Sequence, residues 1–275
     1  MATAVFFHAH PDDEAITTGG TMARAAAEGH RVVLVVATDG RHGEVPDDLG
    51  PDETLVDRRR VELQRSADAL GVASIRWLGY QDSGMAGWPQ NDDPAAFCQA
   101  DLDEAAGRLA AILTEEAAAV LTTYDWHGNY GHPDHLKVHT VGHRAAELAG
   151  TAQVYEATVN RDAVFRLMAM AREEAEARGE TIDLPDLDDT DDGEPLGMPE
   201  STLTTAVDVA PYLALKRSSI RAHASQVTDT SFFLTMPDEV FAAGFGTEWF
   251  IHEGEPAGVH ETWLAGLDER TAWRA

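Results

Sequence analysis

Six side chains able to bind a divalent metal or move a proton fall in two short stretches: His10, Asp12 and Asp13 within His8-Ala9-His10-Pro11-Asp12-Asp13-Glu14, and His132, Asp134 and His135 within Gly131-His132-Pro133-Asp134-His135. Imidazole and carboxylate together suit zinc or another divalent transition metal such as Fe2+, and the one cysteine, Cys98, is too remote for thiolate ligation. His10 and Asp13 stand three apart, as do His132 and His135, so at a helix start each pair leans toward one point. That makes four candidate ligands, His10, Asp13, His132 and His135. A catalytic zinc keeps three protein ligands and leaves a position for water. The pattern does not say which of the four drops out. Asp12 points elsewhere on its turn and is placed to act as general base on that water. Asp134 is placed to orient a neighbouring imidazole.

Those residues need two strand ends brought side by side. Val5-Phe6-Phe7 lies in a strand predicted over 3–8, and Ala119 to Tyr124 in a second over 119–124; each runs into one of the polar turns. Arg31 to Ala37 is a continuous β-branched run, as in strands covered on both faces. Helices are expected over 14–28, 54–70, 99–116, 134–148, 160–178 and 210–224, and further strands over 74–78, 153–159, 203–209 and 247–252. The alternation predicts an α/β fold: a Rossmann-like, mostly parallel sheet with helices on both faces and a smaller C-terminal α+β portion. In such sheets ligands bind beyond the carboxyl ends of the strands. Residues 1–160 are expected to form the metal-binding core. Residues 161–275 are expected to complete the same domain and the substrate wall, with an acidic loop at 180–200 holding nine Asp or Glu.

An isolated His-Pro-Asp is ordinarily a turn with a helix cap. Two of them, each after an apolar strand and each followed by a further ligand-type residue, point to a metal site. Ala9 to Glu14, Gly131 to His135 and the spacing between them resemble the PIG-L/LmbE-like de-N-acetylases, metal-dependent enzymes that remove N-acyl groups from amino sugars. The resemblance runs through Arg59-Arg60-Val61-Glu62-Leu63, Leu70-Gly71-Val72 and Asp82-Ser83-Gly84-Met85, and covers at least residues 3–145. Asp82 to Gly87 and Tyr130 to His135 are most similar to a branch whose members act on N-acetylglucosaminyl-inositol or on mycothiol S-conjugates.

The resemblance implies that His10, Asp13 and His135 hold zinc and that Asp12 is the general base. It also implies that His132 stays unligated, to stabilise the oxyanion or protonate the leaving amine, with Asp134 holding its imidazole. Tyr130 then reaches the carbonyl oxygen, and Arg59 and Asp82 grip the sugar or its aglycone. The implied reaction is hydrolysis of an N-acetyl amide on a small amino sugar or its glycoside, giving acetate and a free amine. The alternatives are a mycothiol S-conjugate amidase, a natural-product tailoring deacetylase, or a non-catalytic sugar-binding relative; Asp12, His132 and Asp134 weigh against the last. A dinucleotide enzyme is excluded because no G-x-G-x-x-G follows the first strand.

Composition narrows the partners. With 48 acidic against 20 basic residues and a net charge of -28, the surface repels nucleic acid and anionic membranes. No apolar run approaches the roughly 20 residues that span a bilayer. A lone cysteine and the lack of an export signal at the start suggest a cytoplasmic protein. Association into a homo-oligomer is left open. Among other conspicuous residues, His139 lies four after His135, Asp39, His42 and Glu44 follow the second strand, and Trp88 sits in a turn-rich segment over 79–93. His223 in His223-Ala224-Ser225-Gln226 resembles a family feature and is a candidate on the substrate side. His127, His143, His252 and His260 read as ordinary polar positions.

Overall fold

The computed structural model describes residues 1–180 and 193–267, so the middle of the acidic 180–200 stretch lies outside the described residues. A seven-stranded sheet carries the fold. Strands β1 (Thr3–His8), β2 (Arg31–Thr38), β3 (Ser74–Tyr80), β4 (Ala118–Tyr124) and β5 (Gln153–Thr158) are joined by β6 (Thr205–Asp208) and β7 (Thr247–His252) in the order β3-β2-β1-β4-β5-β7-β6. The first five neighbours pair in parallel, with Val5 opposite Val33 on one side and Leu121 on the other. β7 runs antiparallel to both β5 and β6, placing Ala157 opposite Phe250. The α/β class and mostly parallel sheet expected from the sequence are therefore present, and the C-terminal strands extend the same sheet.

The apolar runs explain the two layers. Phe6 and Phe7, adjacent and fully buried, point to opposite faces because strand side chains alternate. On the Phe7 face, Val5, Val33 and Val35 pack beneath α4 (Leu102–Glu115) and α5 (Pro133–Ala149) through Leu109, Leu113, Val138 and Val141. On the Phe6 face, Val32, Leu34 and Val36 meet Met22 of α2 (Gly19–Ala27) and Leu63 and Leu70 of α3 (Leu55–Leu70). Burying each such side chain contributes about 1.5–3 kcal/mol.

Local signals fix the ends of the elements. α3 starts at a capping box in which Thr54 accepts from the Asp57 N–H and Asp57 accepts from Thr54, and it stops at Gly71, whose φ of 75° is left-handed. The helix expected over 14–28 is instead two: α1 (Asp13–Thr17) and α2, separated at Thr18. Thr18 spends its hydroxyl on the His8 ring at 2.9 Å, and the chain turns there toward the sheet. α2 then lies so close to the following layer that a Cβ on Gly20 would stand 2.5 Å from the Val209 Cβ. α6 (Arg161–Ala177) and α7 (Leu213–Ala222) fall close to their expected positions. Two helices were not anticipated, α8 (Phe232–Thr235) and α9 (Asp238–Phe245). No helix among the described residues is long and apolar enough to cross a membrane.

This strand order decides where chemistry can happen. β1 is followed in the sheet by β2 and β3 on one side, β4 by β5 on the other. The chain therefore departs in opposite directions from two neighbouring strands, and a crevice opens beyond their carboxyl ends.

Candidate metal centre

The turn after β1 is held by its neighbours. The Ala9 carbonyl accepts both the N–H and the hydroxyl of Thr38, each at 3.0 Å, while the Tyr124 hydroxyl lies 3.3 Å from the Ala9 N–H. Asp12 caps α1 with φ 123° and ψ -32°, a conformation that L residues avoid. Such strain costs of order 1–3 kcal/mol and persists only where the surroundings enforce it. Here Glu14 accepts the Asp12 N–H at 2.9 Å, and Arg59 donates to the Asp12 carboxylate at 3.1 Å and to the carbonyls of Pro11 and Gly40.

The loop after β4 is organised by Asp125. Fully buried, it accepts the N–H groups of His127 and Asn129 at 3.2 and 3.0 Å and the Thr158 hydroxyl at 2.5 Å. Gly128 must be glycine: its φ is 64°, and a Cβ there would collide with that of His135. His132 then becomes the N-cap of α5, with Pro133 in the first turn, and its Nδ1 accepts the Asp134 N–H at 3.1 Å.

The two turns converge. One donor atom each of His10, His132 and His135 lies within 4.8 Å of the others. Asp13 is wedged among them: its Oδ2 is 3.4 Å from His10 Nδ1 and 3.4 Å from His135 Nε2. That spacing is about the edge of a tetrahedron whose metal–donor bonds are about 2.0–2.1 Å. The outer contacts select the same nitrogens. His10 Nε2 is paired with Asp134 at 3.1 Å, leaving Nδ1 for a metal, and His135 Nδ1 is paired with the Gly128 carbonyl at 3.1 Å, leaving Nε2. His10, Asp13 and His135 therefore fit a divalent ion, with His132 beside them, its ring centroid 4.6 Å from that of His10.

The electrostatics separate the roles. Burial lowers the His10 imidazole, but Asp82, Asp13 and Asp134 outweigh it and hold its pKa well above the ordinary value. Burial would raise Asp13, yet His135 and His10 pull it well below. His132 goes the other way: burial, reinforced by His10 and His135, pushes it down to about 2, so it is neutral. With Nδ1 occupied as an acceptor, its proton sits on Nε2. Asp12 is raised by burial despite Arg59, in the direction that suits a base.

Not every expected contact is found. The Asp134 carboxylate does not hold the His132 ring; it accepts from His10 and from the N–H and hydroxyl of Ser83, and only the Asp134 main chain reaches His132. The N-cap geometry turns His132 toward the helix and leaves the carboxylate facing the first turn. Arg59 is 3% exposed and faces Asp12. Asp82 lies 3.5 Å from His10 Nε2 and accepts from the N–H groups of His42 and Gly84. The Tyr130 hydroxyl is 3.4 Å from His135 Nε2. His139 faces Glu156 at 3.4 Å and does not join this cluster. His223 reaches the site only indirectly, through Glu14 at 2.7 Å.

Several contributors were missed. Glu14 is fully buried and bonded to Ser66, His223 and the Asp12 N–H, contacts that neither the motif nor a helix start at 14 discloses. His8 and Tyr124, bonded at 2.8 Å, back the first turn, and burial pushes His8 down to about 4. Their signal was present: polar residues inside otherwise apolar strands.

A parallel sheet presenting two imidazoles and a carboxylate beyond its strand ends is an α/β scaffold with a candidate metal site. A family profile described as PIG-L, GlcNAc-PI de-N-acetylase, matches residues 5–146. The chain is 41% identical over 263 residues to a protein of Acidothermus cellulolyticus, covering 91% of this chain and 88% of the relative. It is 37% identical over 277 residues to one of Thermomonospora curvata, covering 92% and 91%. Both relatives are named 1D-myo-inositol 2-acetamido-2-deoxy-alpha-D-glucopyranoside deacetylase. The solved N,N'-diacetylchitobiose deacetylase of Pyrococcus horikoshii has the same fold, with a TM-score of 0.54 and 23% identity over 91% of this chain and 83% of that one. The chain belongs to the PIG-L family of de-N-acetylases.

Proposed function

We propose that the protein is a zinc-dependent N-deacetylase that hydrolyses the acetamide of an amino-sugar glycoside, with N-acetylglucosaminyl-inositol as its substrate. The substrate assignment draws on the names of relatives that match nearly the whole chain. The observation that carries the chemistry is the wedge of Asp13 between His10 Nδ1 and His135 Nε2, with the strained Asp12 beside it.

His10, Asp13 and His135 are the residues that would hold the ion. A divalent ion held there acidifies water and polarises an amide carbonyl. Asp12 takes the proton from the attacking water, its carboxylate steadied by Arg59. Carbonyl carbon becomes tetrahedral, and the negative oxygen accepts hydrogen bonds from His132 Nε2–H and the Tyr130 hydroxyl. One such donor is worth about 2.7–4 kcal/mol. As the C–N bond breaks, the departing nitrogen takes a proton, and the products are acetate and the free amino sugar. Asp12 holds the proton taken from water and is one source for that transfer; neutral His132 can pass it on. In this reading Asp82 and Arg59 are the residues assigned to the sugar.

Acetate release should be measured with N-acetylglucosaminyl-inositol, N-acetylglucosamine and a mycothiol S-conjugate, with and without a chelator. Fastest turnover of the inositol glycoside, abolished by chelator and restored by zinc, is expected. Preference for the S-conjugate reassigns the substrate; no turnover of any of them sinks the deacetylase reading.

A further inference from the structure

One to two turns along α5 from His135, about 6–12 Å at the helical rise, a second cluster of metal-binding side chains faces β5. His139 and His143 are four apart on α5, with ring centroids 4.5 Å apart. Glu156 projects from β5 between them: its Oε1 is 2.8 Å from His143 Nε2 and 3.4 Å from His139 Nδ1. One donor from each residue lies within 4.8 Å of the other two. The side chains are 21%, 21% and 14% exposed, sheltered yet open to solvent.

The arrangement resembles the first centre at one of its two imidazoles. There a carboxylate oxygen sits between two imidazoles, one backed by a carboxylate and the other by a main-chain carbonyl. Here His143 Nδ1 faces the Glu253 carboxylate at 3.2 Å, and His139 Nδ1 faces the Tyr124 carbonyl at 3.0 Å. The Glu253 carboxylate on His143 Nδ1 fixes that tautomer and leaves Nε2 to coordinate; His139 brings one nitrogen, Nδ1, to both the Tyr124 carbonyl and Glu156. Two histidines spaced by four on one helix face are also a recurrent zinc-holding pair. An ordinary ion pair accounts for His143 and Glu156; the second imidazole, steadied by the Tyr124 carbonyl, brings a third donor within 4.8 Å of the other two.

We propose that His139, His143 and Glu156 hold a second divalent ion of the zinc class, with Glu253 orienting His143. The ion ties the C-terminal half of α5 to β5. Because α5 carries His132, Asp134 and His135 at its other end, the second ion anchors the helix that presents them. Its role is structural, and the reaction does not pass through it.

The untagged chain should be equilibrated with buffered zinc in the micromolar range and its metal content measured, beside His143→Ala and the near-isosteric Glu156→Gln. Each variant is expected to hold one zinc fewer than the wild type while keeping deacetylase turnover. Zinc is also expected to raise the melting temperature of the wild type more than that of either variant. Metal contents equal to wild type in folded His143→Ala or Glu156→Gln overturn the proposal. Loss of one zinc together with loss of turnover also overturns it, because the missing ion is then the catalytic one. Comparison of contents reads the second site whether or not the first is used for deacetylation.

Discussion

The Glu14 carboxylate accepts the main-chain N–H of Asp12 at 2.9 Å, and its other oxygen is taken by His223, 209 positions further along the chain. A left-handed aspartate is thereby pinned by an acid that is itself buried and paired. Glu14→Gln replaces one acceptor oxygen by a donor, so either Asp12 or His223 loses its partner. Displacements of about 1 Å at a reacting group cost roughly 100-fold. Steady-state kinetics should show about that loss in kcat, with metal content unchanged.

Removing the proposed base is expected to be more severe. Asp12→Asn should retain the ion, since Asp12 touches Arg59 and not the donors, and lose roughly 10²–10⁴-fold in kcat. Zinc analysis beside acetate release decides it; turnover near the wild-type rate would remove Asp12 from the mechanism.

His132 is neutral and donates through Nε2, because its Nδ1 is already occupied by the Asp134 N–H. His132→Ala should lower kcat by about 10²–10³-fold, the usual loss of one oxyanion donor. His132→Gln, which keeps an N–H, should recover part of that activity. Equal kinetics for the two variants would show that the donor is not what matters.

Asp134 faces His10 Nε2, and in the proposed reading it backs the coordinating tautomer, so its effect belongs to ion affinity. Asp134→Ala should weaken zinc binding by about 10–100-fold. Competition against a chelator of known affinity measures this, and an unchanged affinity contradicts the role given to the His10–Asp134 pair at 3.1 Å.

The Glu14–His223 pair makes stability depend on pH. Burial lowers His223, but Glu14 outweighs it and raises the pKa above 6.5; burial raises Glu14, but His223 outweighs it and lowers the pKa below 4.5. The His223 contribution is complete below pH 6.5 and fades as pH rises through the folded value. The Glu14 contribution is present above pH 4.5 and fades as pH falls through its folded value. The melting-temperature gap between wild type and His223→Gln should be widest between pH 4.5 and 6.5 and should narrow on either side. A gap that stays constant below pH 4.5 and above pH 6.5 would mean that the pair is not ionic.

The parallel core was legible in the sequence because its signals are local: Val32 to Ala37 is apolar without a break, and each His-Pro-Asp follows a strand. The convergence of His10 with His135 followed from those two facts and the rule for strand ends. Pairings set by ring rotation were not legible. Whether Asp134 bonds His132 or His10 depends on His132 turning its Nδ1 to cap α5, which no spacing encodes. Nor was the Glu14–His223 contact, since nothing near Glu14 announces a partner so far along. The break at Thr18 was hidden because Ala15, Gly19 and Gly20 all suit a close-packed helix, and the His8–Thr18 contact is not encoded in their spacing.

Neighbouring β1 and β4 are separated in the chain by the whole of β2, β3 and α4. A cut in the loop near Asp93 would leave His10, Asp12, Asp13, Arg59 and Asp82 on one fragment and Tyr130, His132, Asp134 and His135 on the other. Neither fragment owns the ion cage. During synthesis, catalytic competence cannot precede the emergence of the second turn and its docking beside the first. Affinity for a divalent ion is thus expected to report whether the middle of the sheet has zipped shut.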